Sequence, residues 1–186
     1  MPRPRSFDEE LALDAVEDLF WRQGYELTSY ADLMEATGLG KGSLYAAFGD
    51  KQALYLRALQ RYIDREVGQA GALLTDASLT GEARIATLMQ MPIAAVTDRR
   101  DRRGCFLCNA AVDLAPFDPA AEDMVTTALN AIFDTIKETL QACKPTRATP
   151  EGLFAAYIGM RVMAKAGLPV EALVAARETA LLPLHD

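Results

Sequence analysis

Histidine is all but missing from this chain, cysteine is scarce, and positive charge runs short. The one histidine is His185, beside the C-terminus, and the three cysteines are Cys105, Cys108 and Cys143. A structural zinc site takes four nitrogen or sulfur ligands. One C-x-x-C with no second pair and no nearby histidine does not supply them, so no metal is expected. An odd, small number of cysteines also argues against a disulfide framework. Catalytic machinery is lacking in the same way. No nucleophile stands beside an evident base, and the chain reads as a non-enzyme without a cofactor. No uncharged apolar run reaches the roughly 18 residues of a membrane span, and Met1 to Phe20 lacks the apolar stretch of a secretory signal. A soluble, cytoplasmic protein with no membrane partner is the expectation.

The shortage of positive charge is sharper. The formal net charge is −7, from 19 Lys and Arg against 26 Asp and Glu. Taken as a total, that argues against a nucleic-acid binder, which usually shows a basic footprint. The distribution says more than the total. Among the first sixty residues Arg3, Arg5, Lys41 and Lys51 fall on an N-terminal arm and around one short helix, while the acids concentrate on the first helix.

What is present in quantity is helix. About half of the residues are apolar (51%), enough for a substantial core. Their spacing predicts an all-α chain of about nine helices, with no strand-like alternation to compete. The first helix should run from about Phe7 to Gln23, capped by Ser6, with Leu11, Ala15, Val16, Leu19 and Phe20 as its buried stripe. Gly24 ends it. A short helix follows from Thr28 or Ser29 to Ala36, then Gly38, then a second short helix from near Lys41 to near Phe48. Asp50 caps a long fourth helix reaching about Ala72. Further helices are expected near 80–97, 105–114, 119–143, 151–166 and 169–182, divided by glycine, proline and the charged run Asp98 to Arg103.

The segment Thr28 to Tyr55, TSYADLMEATGLGKGSLYAAFGDKQALY, carries the motif. Two short helices joined at a glycine are the ingredients of a helix-turn-helix. Gly38 can take a positive φ in the turn. Leu33, Leu44 and Phe48 should pack inward, leaving Lys41, Ser43 and Tyr45 to project. A helix N-terminus reading Lys41-Gly42-Ser43 suits approach to phosphate and base edges.

Over about Ser6 to Arg65 the sequence resembles the TetR/AcrR family of transcriptional regulators, through T-S, A-D-L and T-G-L-G-K-G-S-L-Y-x-x-F-x-D-K-x-x-L in order. Gly40 stands where that family often has serine, and Met34 where a small residue is usual. The resemblance implies a DNA-binding domain over 6–66 and a ligand-binding and dimerisation domain over 67–186. It implies operator DNA as a partner, contacted by Thr28, Ser29, Lys41, Gly42, Ser43, Tyr45 and Lys51, with Arg5 on the arm. It also implies a repressor released by a small-molecule inducer. The last two predicted helices, the eighth and ninth, carry small residues at Ala155, Ala156 and Gly159. They resemble the family's four-helix dimer interface, which makes a homodimer the expectation.

The segment Gly104 to Pro119, GCFLCNAAVDLAPFDP, resembles one regulatory subgroup of the family. Candidate ligand-binding residues are Met89, Phe106, Asn109, Phe133, Tyr157 and Met160. Cys105 follows four arginines, Arg99, Arg100, Arg102 and Arg103, and sits near a helix N-terminus. Both features favour thiolate. Cys105 as a thiol sensor, with Cys108 one turn away as resolving thiol, is one reading; two buried structural cysteines are the other.

Overall fold

Asp8, not Ser6, starts the first helix. The computed structural model describes residues 7–184, so Arg5, Ser6 and His185 lie outside the described residues. The Asp8 carboxylate accepts from the Glu10 and Leu11 backbone N–H groups, and α1 follows over Glu9–Gln23. Its buried face is Ala12, Leu13, Val16, Leu19 and Phe20. Leu11, expected in that stripe, is exposed. At 3.6 residues per turn it stands about 140° around the helix from Val16, on the outer side.

Three short elements complete the N-terminal unit. They are α2 (Tyr30–Thr37), α3 (Lys41–Phe48) and α4 (Lys51–Tyr62). Ser29 and Asp32 form a reciprocal capping box at α2, and Gly38 ends that helix in the left-handed region at φ 68°. Gly40 caps α3 without a side-chain hydrogen bond. Asp50 caps α4 through the Ala53 N–H. Leu33, Leu44 and Phe48 are buried, as expected from their spacing.

A π turn over Ile63–Val67 carries α4 without a break into α5 (Gly68–Thr75). The single long fourth helix of the sequence reading is thus one rod with a π turn inside it, and the expected domain boundary at 66/67 falls within that turn. The remaining helices are α6 (Gly81–Thr97), α7 (Phe106–Asp113), α8 (Pro119–Gln141), α9 (Pro150–Lys165) and α10 (Val170–Leu181). Counting the α4–α5 rod once gives nine helices and no strand among the described residues. No helix among them is long and apolar enough to cross a membrane.

Aromatic rings join the N-terminal unit to the rest. Phe20 on α1 meets Tyr55 on α4 edge-on at 4.9 Å, and Tyr55 meets Phe106 on α7 at 5.3 Å. Trp21 and Tyr62 meet in the same manner at 4.8 Å, and Tyr62 reaches Phe106 at 5.7 Å. Such edge-to-face pairs contribute beyond the area they bury. Polar ties run parallel to them. Asn109 Nδ2 donates to the Trp21 carbonyl at 3.3 Å, the Asp113 carboxylate accepts the Tyr25 N–H, and Gln52 donates to Asp118, the N-cap of α8.

Candidate DNA-binding face and effector cavity

The N-terminal unit sorts its charges by face. Arg61 of α4 pairs with Glu10 and with Asp14 (2.5 Å), and Arg65 pairs with the buried Glu17 at 2.5 Å. Acids of α1 are therefore neutralised against α4, away from α3. On the opposite side Lys41, Gly42, Ser43 and Tyr45 are all exposed at the start of α3. A Cβ built on Gly42 would meet nothing within 4 Å. The glycine is not required by internal packing, and the space beside it faces outward.

Tyrosines organise this face. Tyr45 O–H donates to Tyr30 Oη at 2.8 Å, with the rings stacked at 5.3 Å. The Lys51 backbone N–H donates to the same Tyr30 oxygen at 3.0 Å. Donation to Tyr30 holds the Tyr45 phenol above its ordinary pKa, so it stays a neutral donor. Lys41 Nζ stands 4.9 Å from the Tyr30 ring centre, and Lys51 Nζ stands 4.3 Å from that of Tyr25. Both ammonium groups thus rest on aromatic faces, which orients them at small entropic cost. Tyr30 is the residue the sequence reading missed here. Its signal was the aromatic pairing across α2 and α3.

Ser29 is exposed but engaged as a cap. Thr28 corrects the expectation of a DNA contact. It is fully buried, and its hydroxyl donates to the Gly24 carbonyl at 2.6 Å. It shapes the α1–α2 turn and offers no polar group outward. Met34 lies partly exposed on α2, so its size costs no internal packing.

The expected ligand-binding residues divide between the core and one cavity. Met89, Phe106, Tyr157 and Met160 are buried core, and Phe133 packs edge-on against Phe154 at 5.6 Å. Of the six, Asn109 alone lines the cavity that holds the two thiols. That cavity, of about 440 Å³, lies between the α1–α2 turn (Gly24, Leu27), α7 (Cys108, Val112) and α9 (Arg161, Val162), with Cys105 at its inner end. It draws on three distant stretches of sequence, and so periodicity within any one helix did not reveal it.

Cys105 is buried and is the N-cap residue of α7. Its thiol is lowered to about 6. The largest cause is a hydrogen bond from the Cys108 thiol; burial opposes it, and the Arg161 guanidinium and the Tyr62 hydroxyl, donating at 3.4 Å, add to it. Cys108 is pushed up by donating in that bond. The arginine run does not act as expected. Arg103 lies 3.8 Å over Trp21 and pairs with Asp18 and Asp101, and Arg99, Arg100 and Arg102 line a separate open cleft with it. The cation beside Cys105 is Arg161, held by Tyr157 Oη at 2.7 Å. Tyr157, Met160, Arg161 and Ala164 share the buried face of α9. An arginine one turn after a core tyrosine was the available signal.

An exposed helix N-terminus with lysines braced on tyrosines, held on a helix-turn-helix, defines a DNA-binding regulator and not an enzyme. Comparison with known proteins agrees. Residues 12–58 match the bacterial regulatory proteins of the tetR family. The chain is 30% identical over 175 residues to the transcriptional repressor BdcR of Escherichia coli K12, covering 93% of this chain and 87% of BdcR. It is 40% identical over 114 residues to the repressor ComR of the same organism, a segment that spans only 54% of ComR. A cysteine-substituted form of the TetR family regulator CifR, complexed with 26-bp double-strand operator DNA, superposes with a TM-score of 0.81 at 30% identity over 96% of this chain and 98% of that one. The chain belongs to the TetR family.

Proposed function

We propose that the chain is a homodimeric repressor that binds operator DNA through the start of α3 and leaves it when a small molecule occupies the regulatory body. The observation that carries this reading is the exposed Lys41-Gly42-Ser43-Leu44-Tyr45 run with open space at Gly42. Lys41 and Lys51 supply phosphate contacts, and Ser43 and Tyr45 supply polar contacts at the groove. Gly42 lets backbone approach backbone. Such a protein works in the cytoplasm, where the DNA is.

Dimerisation is supported by the outer face of α9 and α10. Gly152, Ala156, Ala176 and Ala180 line an apolar groove of about 570 Å³ there. Two such pairs of helices would form a four-helix bundle across a two-fold axis, and a two-fold protein reads two half-sites.

The test is a titration of duplexes selected from a random pool by the wild-type protein. Lys41→Ala should weaken binding by about tenfold and reduce the salt slope by about one, the signature of one lost phosphate contact. Tyr45→Phe should weaken it with little change in slope. Gly42→Ala should separate folding from binding. Helix propensity favours alanine by about 0.5–1 kcal/mol, so the variant should melt no lower than wild type while binding falls. Unchanged affinity in all three variants would remove α3 as the recognition helix.

A further inference from the structure

Repression by itself makes no use of two thiols and a buried guanidinium at the inner end of a cavity. The mouth of that cavity is apolar and open, with Leu27, Val112 and Val162 exposed along it. Cys105 Sγ at the inner end accepts from Tyr62 of α4, and the buried Arg161 stands beside it. The cavity has room for an organic molecule of several carbon atoms and offers it one nucleophile.

We propose that Cys105 is the receptor for a small carbon electrophile, an α,β-unsaturated carbonyl compound, and that the covalent adduct is the signal that releases DNA. This rests on the reading of the chain as an effector-controlled repressor. The sulfur lone pair of Cys105 attacks the β-carbon and an S–C bond forms. The alkene π pair shifts through the α-carbon to the carbonyl oxygen, giving an enolate, and a proton from water at the α-carbon restores the carbonyl. Thiolate, alkene and proton add to one thioether, with no leaving group and no oxidant. Arg161 acts as a positioning residue: its charge holds the thiolate form.

The path from this sulfur to the DNA-binding face is short. Asn109 and Asp113, on the same helix as Cys108, hold the Trp21 carbonyl and the Tyr25 N–H. Gly24, at φ +83°, lies so close to α7 that a Cβ there would sit 2.8 Å from Asp113 Oδ2. Tyr62, bonded to Cys105, sits where α4 enters its π turn. Bulk added between α7, α9 and the Gly24–Leu27 turn presses on the connection between α1 and α2. An adduct shifts the dimer only by fitting one state better than the other; the tight Gly24–Asp113 contact has no slack to absorb a displacement of α7, so such a displacement is passed to the α1–α2 turn.

The probe is methyl vinyl ketone on the full-length protein, with adducts located by mass spectrometry of its peptides. At pH 6.5 a thiol near 6 is mostly thiolate and an ordinary one about 1% so; its weaker basicity takes back roughly tenfold of that advantage, leaving Cys105 at least about fivefold faster than Cys143, whose thiol burial pushes up. The alkylation of Cys105 should follow pH with a midpoint near 6. Arg161→Gln should raise that midpoint and Arg161→Lys should restore it, a readout that a merely structural arginine would not move. Treated wild type should lose at least about tenfold in affinity for its selected duplexes, while Cys105→Ser, nearly the same shape, should bind them normally and ignore the reagent. Faster modification of Cys143, release that survives in Cys105→Ser, or release by peroxide alone through a Cys105–Cys108 disulfide would overturn the proposal. The two readings fail separately. A wild type that selects no duplex sinks the repressor, with Cys105 reactivity still measured. Duplexes that stay bound to protein fully modified at Cys105 sink the electrophile signal alone.

Discussion

Gly159→Arg is expected to turn the protein into monomers and to lower its affinity for selected duplexes by about a hundredfold or more. The position allows a clean experiment. A Cβ at Gly159 meets nothing within 4 Å in the isolated chain, and arginine is the better helix former, so the subunit itself should fold as before. In the proposed dimer the same side chain would enter the bundle from both subunits. Two like charges taken out of water without partners cost about 3–5 kcal/mol or more, enough to weaken association by a factor of hundreds. DNA binding should fall with it, because a lone helix-turn-helix reaches one half-site and loses the high effective concentration of the second. Sedimentation velocity at micromolar concentration, with circular dichroism as the folding control, reads the first effect. A variant that remains dimeric, or a wild type that sediments as a monomer, would move the interface elsewhere or remove it.

The helix-turn-helix was legible in the sequence because its determinants are local. Ser29, Gly38, Asp50 and the inward trio Leu33, Leu44 and Phe48 act within a few residues of themselves, and each stands where its spacing put it. Helix borders erred by little, since caps and prolines mark them: α8 begins at Pro119 as expected, and α6 spans Gly81–Thr97. The errors have long-range causes. Leu11 and Ala12 are both apolar, and only the position of α4 decides which one turns inward. Thr28 has the residue type of a DNA contact, yet the buried α1–α2 turn claims its hydroxyl. The arginine run is near Cys105 in sequence, but Trp21, Asp18 and Asp101 capture Arg103, and the effective cation comes from α9. Charges adjacent along the chain and charges adjacent in space were two different sets.

Tyr55 should give the largest change in stability of any single side chain at the junction, and in opposite directions for two substitutions. The ring is fully buried and meets Phe20, Tyr25 and Phe106 edge-on at 4.9, 5.3 and 5.3 Å. It therefore sits where α1, the α1–α2 turn, α4 and α7 come together. Tyr55→Ala removes all three ring contacts and leaves a cavity that four elements must close, at a cost of about 3–5 kcal/mol. For a chain of this length that corresponds to a fall in melting temperature of roughly 10 °C, measured at one protein concentration because association also shifts the midpoint. The hydroxyl behaves differently. It is buried, and it has no hydrogen-bond partner among the described residues. Burial, with the Asp113 charge nearby, drives its pKa well above the ordinary phenol value, so it stays protonated at any pH the fold survives. An unsatisfied buried polar group costs about 1–3 kcal/mol. Tyr55→Phe keeps the ring and deletes that group, so it should raise the melting temperature by a few degrees, roughly 2–4 °C per kcal/mol. A rise with phenylalanine and a steep fall with alanine would assign the whole contribution of Tyr55 to its ring. A phenylalanine variant that melts lower than wild type would show that the hydroxyl is bonded after all, and the junction would then be a polar contact and not an aromatic one.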